Sequence, residues 1–463
     1  MRTAEKTLSF PFGGVARKGA YRKQTRPYSS PGATNVRGYG LLESRERGGS
    51  RPGLVELDTV STANEAVWQW PNGEAIQWPN GEDMTYALSS PELTLPSGTK
   101  VVRHDAEITA ISGIGTAPTG YTVSCIYRDR LILVQGNLWW ASRMGDHSDW
   151  SIADDMDDAA RAVAGAVGLA GNGSEPIIAA IPFRDAALVF ATRNSLWVLK
   201  GDPATGSMDE LSGEVGITSP FGWALNDHEG LLIFLSNDGV YYGGPTSKPK
   251  RFSEDRLPDS LRNIDPESNT ITMAYDPTGR GYHLFITPET GTGSHYWLEV
   301  DEDTRAIWPV SFADGGHQPI ATGRIKHDGL QEVAVLGRDD TWRKFSESAS
   351  DDDGEDLTSR VIIGPFRLAS GDAKNAMLAE MHGMLADNSG DVIWSIAVGE
   401  TAEEATDNAV ANTVVATGTW SELRNRVVRP RVRGAWAAVI LESTNQWAFE
   451  AIAITARQLG RIR

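Results

Sequence analysis

The sequence predicts an all-β protein. It reads as an extended N-terminal arm over residues 1–56, a β-propeller of about six blades over 57–350, an acidic linker over 351–356 and a C-terminal β-sandwich over 357–463. Three observations lead there. Long helical patterns are scarce, and short apolar runs rich in Val, Ile, Phe, Tyr and Trp recur between Gly, Asp, Asn and Pro. Five of these runs repeat at intervals of about 50 residues, the signature of stacked units that bury a face only against their neighbours. The chain also holds 15 Trp residues, large rings suited to the wedge between flat blades.

The arm comes first. Residues 1–56 carry eleven Lys/Arg against four Asp/Glu, with Gly and Pro punctuation and no periodic core face. This predicts a segment that packs on another subunit or on a ring above it, with Arg17, Lys18, Arg22, Lys23 and Arg26 as contact candidates. On that reading, deleting residues 1–30 leaves the propeller folded but prevents assembly.

The blades follow. Tyr121 to Trp140, Pro176 to Lys200, Phe221 to Tyr242, Gly281 to Val300 and Leu330 to Phe345 each read as strand, turn, strand, with an aromatic on the second strand. Turns such as Asn237-Asp238-Gly239 supply the positive φ of a tight hairpin. Ile177 to Ile181, Ile271 to Tyr275 and Pro319 to Thr322 add a preceding strand to three of the units. The alternative arrangement is two stacked β-sandwiches. Trp70-Pro-Asn-Gly-Glu and Trp78-Pro-Asn-Gly-Glu form a tandem repeat, read either as a first-blade loop or as a duplicated hairpin tip reaching a neighbour.

The tail closes the chain. Asp351 to Asp356 begins like an EF-hand loop but lacks the ligand at its twelfth position, so it reads as a solvated linker. Seven short strands are expected beyond it: Val361 to Phe366, Ala376 to Asp387, Asp391 to Gly399, Thr413 to Trp420, Val427 to Arg433, Trp436 to Ser443 and Trp447 to Thr455. In the last, Trp447, Phe449 and Ala451 fall on one face, and Glu450 and Ile452 on the other. Arg429, Arg431 and Arg433 share a face of a strand that Pro430 places at a sheet edge. A basic edge serves either as a subunit contact or as a guard against aggregation.

Composition narrows the function. With 463 residues, 40% hydrophobic and 22% charged, the chain can bury a large core, and wholesale disorder is excluded. No stretch approaches about 18 apolar residues, so no membrane span is expected, and the N-terminus shows no signal-peptide pattern. The single cysteine, Cys125, excludes an intramolecular disulfide framework and reads as a buried apolar filler. Formal net charge is -18, and residues 57–423 alone hold 24 basic and 55 acidic side chains. Phosphate contacts need Lys and Arg in excess, so the acidic body is a poor DNA binder.

Catalytic signatures are missing: there is no phosphate loop, no Gly-x-Ser-x-Gly elbow and no His-Glu-x-x-His, and the eight His are scattered. Asp154, Asp155, Asp157 and Asp158 could hold a cation or do acid–base work; a helix N-terminus running into Ala159 to Gly165 is the simpler reading. Ser236 to Gly239 and Arg338 to Trp342 resemble the Asp-boxes of sialidase propellers without completing the pattern.

Three groups of segments resemble one known family. Phe12-Gly-Gly, Pro27 to Val36 and Glu43 to Leu54 are similar to the N-terminal arm of phage tail proteins. Asp149-Trp150 with the Asp cluster, Arg161 to Gly165, Leu196 to Pro203 and Leu235 to Tyr241 resemble their propeller, and Gly460-Arg461 after Glu450 resembles the end of their sandwich. The family is the tail nozzle, or DNA-stabilisation, proteins of short-tailed phages. The resemblance implies a non-enzymatic virion component made in the host cytoplasm, without cofactor. It implies a hexameric ring that closes the tail channel and takes part in genome retention and ejection. Its neighbours would be a tail adaptor or portal-proximal ring and a tail fibre, and DNA would pass its lumen without specific binding. The alternative is a propeller-type glycan-binding protein or depolymerase, for which a signal peptide and a carboxylate pair in a pocket would be expected.

Overall fold

A computed structural model describes residues 3–16, 29–38, 47–57, 65–67, 85–87, 115–152, 158–168, 175–252, 261–300, 305–327, 330–368, 375–421 and 426–458. Five short strands lie near the N-terminus: β1 (Thr3–Ser9), β2 (Ala33–Thr34), β3 (Val36–Arg37), β4 (Gly48–Ser50) and β5 (Gly53–Glu56). A small hairpin pairs β6 (Glu65–Val67) with β7 (Thr85–Ala87).

Four-stranded antiparallel sheets follow in chain order. The first is β8 (Val123–Tyr127), β9 (Arg130–Gln135), β10 (Leu138–Ala141) and β11 (Val163–Ala166). The second is β12 (Ala179–Phe183), β13 (Ala187–Ala191), β14 (Leu196–Lys200) and β15 (Ser207–Ser212). The third is β16 (Trp223–Asn226), β17 (Leu231–Ser236), β18 (Gly239–Gly243) and β19 (Lys250–Arg251). The fourth is β20 (Asn269–Asp276), β21 (Gly281–Pro288), β22 (Ser294–Val300) and β23 (Arg305–Val310). The fifth joins β24 (Pro319–His327), β25 (Leu330–Gly337) and β26 (Trp342–Ser346) to β5, which supplies its outer strand.

The first strands of successive sheets face one another, β12 against β8, β20 against β16 and β24 against β20. This is the blade arrangement of a β-propeller. Local chemistry makes the hairpins tight. Arg128 and Asp129 both take positive φ, 50° and 55°, in the two-residue turn between β8 and β9, as a type I′ turn requires. The sixth blade of the sequence reading is not among the described sheets. The Trp70 and Trp78 repeat lies outside the described residues.

Behind the first blade the expected helix does not form. Val163–Ala166 is β11, paired with β10. Asp158 instead closes a turn, its Oδ1 accepting from the Ala160 N–H at 2.9 Å. Gly165 lies opposite Trp139, where a Cβ would come within 2.4 Å of the indole, so glycine lets that ring lie flat across the sheet. Asp154, Asp155 and Asp157 lie outside the described residues.

The C-terminal part is a sandwich of β27 (Ser359–Arg367), β28 (Ala376–Leu385), β29 (Val392–Gly399), β30 (Ala416–Trp420), β31 (Arg426–Val428), β32 (Val432–Gly434), β33 (Trp436–Ser443) and β34 (Ala448–Gln458). One sheet runs β2-β27-β33-β29-β30; the other runs β3-β4-β34-β28-β31, with β1 also on β34 and β32 also on β28. A helix not expected from the sequence, α1 (Ala402–Val410), buries Ala402, Ala405 and Ala409; Thr401 caps it by accepting from the Glu404 N–H. In β34 the register slips at Glu450, and the buried set moves from Trp447 and Phe449 to Ile452, Ile454 and Ala456. Ile452, not Ala451, therefore joins the core.

Over their described parts residues 1–56 are extended, and they pair with this chain's own sheets. β1 runs antiparallel to β34 from Thr3 opposite Arg457 to Ser9 opposite Ala451. Phe10 then packs against Trp308 of the fourth blade and Phe449 of the sandwich, at ring distances of 5.4 and 5.5 Å. Gly48 makes room for it, since a Cβ there would lie 1.8 Å from the Phe10 ring. One hydrophobic core accordingly joins the N-terminal segment, the fourth and fifth blades and the sandwich.

Candidate functional site

The acidic linker is where these parts meet. Of Asp351 to Asp356, only Gly354, Glu355 and Asp356 are exposed, so the expectation of a solvated linker holds for those residues alone. Asp352 is 1% exposed and holds the Arg51 guanidinium through two hydrogen bonds, at 2.9 and 2.6 Å. Arg51 also donates to Asn35 Oδ1 and to the carbonyls of Pro52 and Ser311. All five of its N–H donors are thus satisfied. Asp353 and Asp339 together hold Arg343 of β26. The need to pair two buried arginines, which the run of acids does not reveal, draws Asp352 and Asp353 inward.

The predicted contact residues divide into two groups. Arg17, Lys18, Arg22, Lys23 and Arg26 lie outside the described residues. Arg429, Arg431 and Arg433 are exposed on the edge of the larger sandwich sheet, where, among the described residues, β31 and β32 pair only with β28. They do not share one continuous strand face, because Arg431 takes φ 54° and splits the strand in two. Arg429 reaches Glu380 at 3.0 Å, a surface pair of small energy.

A second feature, not anticipated from the sequence, is a cavity of about 220 Å³ between the fourth and fifth blades and β3. Arg37, Asp276, Glu299, Glu332, Phe345 and Glu347 are among its walls. The Arg37 guanidinium lies over Trp297 at 3.7 Å, and its Nε and Nη2, both sealed from solvent, have no hydrogen-bond partner among the described residues. Burial pulls its pKa down to about 10, partly offset by the charge of Asp276. Asp276 Oδ1 accepts from the Thr278 and Gly279 N–H groups, both at 3.0 Å. Glu299 accepts from the Trp297 and Trp308 indoles and from the Gly38 N–H.

Behind Asp276 lies His283, stacked on Phe345 at 4.4 Å and 3.7 Å from the carboxylate, too far for a hydrogen bond. Burial pushes His283 down to about 4, and His295 likewise. Among the described residues no group of three His, Cys, Asp or Glu converges to hold a metal, and no helix is long and apolar enough to cross a membrane. Cys125 is buried in β8, and burial pushes its thiol up to about 12, as befits a filler.

No protein-family model matches the chain, and no curated protein matches it. Among solved structures it is similar to U3-55K, at 8% identity over 70% of this chain and 83% of that one, with a TM-score of 0.30. A mitotic checkpoint complex follows at 10% identity, 73% and 93% coverage and 0.29. The WD40 domain of SCAP from fission yeast follows at 10%, 74% and 73% and 0.28. These likenesses are too slight to bear on function, and the propeller rests on the sheets themselves.

Proposed function

We propose that this chain is a structural subunit of the tail of a short-tailed phage, a nozzle ring that continues and closes the DNA channel. The observation that carries the reading is the exposed arginine edge, Arg429, Arg431 and Arg433, on a chain of formal net charge -18. A basic edge on an acidic molecule attracts an acidic face of the next copy or of an adaptor ring. The sequence places Arg17, Lys18, Arg22, Lys23 and Arg26 in the same service. The shared core of propeller and sandwich supports the reading as well, because a channel wall must hold its shape under load.

Such a subunit works without catalysis or cofactor. An acidic lumen would repel phosphates over about 8 Å at physiological salt and keep a DNA rod sliding, whereas Lys and Arg contacts would grip it. The test is the native mass of the purified chain together with its DNA affinity at physiological salt. Six copies without measurable DNA binding are expected; a monomer, or tight salt-dependent binding, contradicts the proposal.

A further inference from the structure

We propose that neighbouring copies meet where the acidic outer strand of the second blade, β15, docks on the open edge of the next copy's sandwich. There it adds a strand to β30 and sets its carboxylates against Arg429, Arg431 and Arg433. The inference rests on the ring reading above and names its interface.

The receiving edge is unguarded. Among the described residues β30 pairs only with β29, which leaves one row of its backbone groups outside the ladder. Residues 408–421 hold no charged side chain and no proline. A bare, uncharged edge of this kind is a template for another strand. The neighbouring edge has the guards that β30 lacks, three cations, Pro430 and the break at Arg431. Val415 and Ile393, 54% and 46% exposed, set an apolar strip beside the bare edge. Both edges lie on one side of the sandwich, since the Trp420 ring at the end of β30 covers Gly383 of β28, where β28 pairs with β31.

Charge then selects the occupant. Three arginines repel a copy of themselves, so this edge does not meet its own twin about a two-fold axis. It needs a different face of the next copy, the head-to-tail contact that closes rings. The outer strands of the blades are the natural donors of an exposed strand. β19 offers Lys250 and Arg251 and is repelled. β11 carries no charge, β23 lies against β2, and β5 is mostly buried and bonded to Asp351 and Asp352. β15 fits: among the described residues it pairs only with β14, and it exposes Asp209 and Glu210, with Glu214 just beyond. Lys200 holds Asp209 at 2.9 Å, but both are exposed, and a pair of such small energy exchanges readily for an arginine.

The test is a charge exchange in the full-length chain, read by sedimentation velocity at physiological salt. One variant is Arg429→Glu/Arg431→Glu/Arg433→Glu; the other is Asp209→Arg/Glu210→Arg. All five side chains are exposed, so both variants should fold. Each alone sets like charges face to face and should weaken assembly about a hundredfold or more. Mixed in equal amounts they should assemble again, because alternating copies restore opposite charges at every contact. Backbone amides of residues 207–212 and 414–420 should exchange hydrogen more slowly in the parent assembly than in either separate variant. A parent that sediments as a monomer sinks the ring reading and this interface with it. An assembled parent overturns this interface alone if Asp209→Arg/Glu210→Arg assembles equally well, if the mixture stays dissociated, or if either segment lacks protection.

Discussion

Arg51 and Asp352 stand 301 positions apart in the chain and meet through a two-pronged hydrogen bond, at 2.9 and 2.6 Å, with both side chains buried. The pair ties the N-terminal segment to the end of the propeller, and Ser311 draws the fourth blade into the same network. Losing one partner strands a charge in the interior. Arg51→Met or Asp352→Asn should each cost about 3–5 kcal/mol in chemical denaturation. The double variant Arg51→Met/Asp352→Leu should recover part of that loss. Equal stability of single variants and parent would show that the pair is dispensable.

Removing residues 1–30 should destabilise the chain itself. The deletion takes away β1 and the Phe10 ring between Trp308 and Phe449. Phe10→Ala alone should cost about 3–5 kcal/mol by the cavity it leaves. Thermal unfolding followed by circular dichroism measures both. A truncated chain that melts as the parent does would mean that the segment only rests on the surface.

Stability should fall with acid through the buried imidazoles. His283 and His295 sit near 4 in the folded chain, below the ordinary 6.5, so the unfolded chain binds more protons between those values. Their contribution is complete above about 6.5 and declines as pH drops towards 4, by about 1.4 kcal/mol per pH unit for each histidine. Replacing both with Phe should flatten the dependence of unfolding free energy on pH across that window. An unchanged slope would assign it to the carboxylates.

How far the sequence revealed this fold depended on range. The blade hairpins were legible because turn residues and aromatic strands repeat locally, as in Leu231 to Tyr242. The N-terminal pairings were not, because β2 and β3 are two residues long and carry no period, and β2 finds its partner β27 far away in sequence. α1 did leave a signal, Thr401 followed three residues later by Glu404 with alanines at helical spacing, which a strand-rich context obscured. Arg37 was illegible as a cavity wall, since an arginine in a basic stretch reads as surface until Trp297 is seen beneath it. The exposed edge at Arg429 was legible from Pro430 alone, but the break at Arg431 was not.

On the proposed reading, the exposed arginine edge binds an acidic face of the next copy or of a neighbouring ring. Sedimentation velocity of the parent and of the triple variant Arg429→Glu/Arg431→Glu/Arg433→Glu tests it most directly. All three side chains are exposed, so the variant should melt close to the parent. The parent should sediment as a hexamer and the variant as a monomer at physiological salt. An assembly that survives the triple reversal, or a parent that sediments as a monomer, contradicts it.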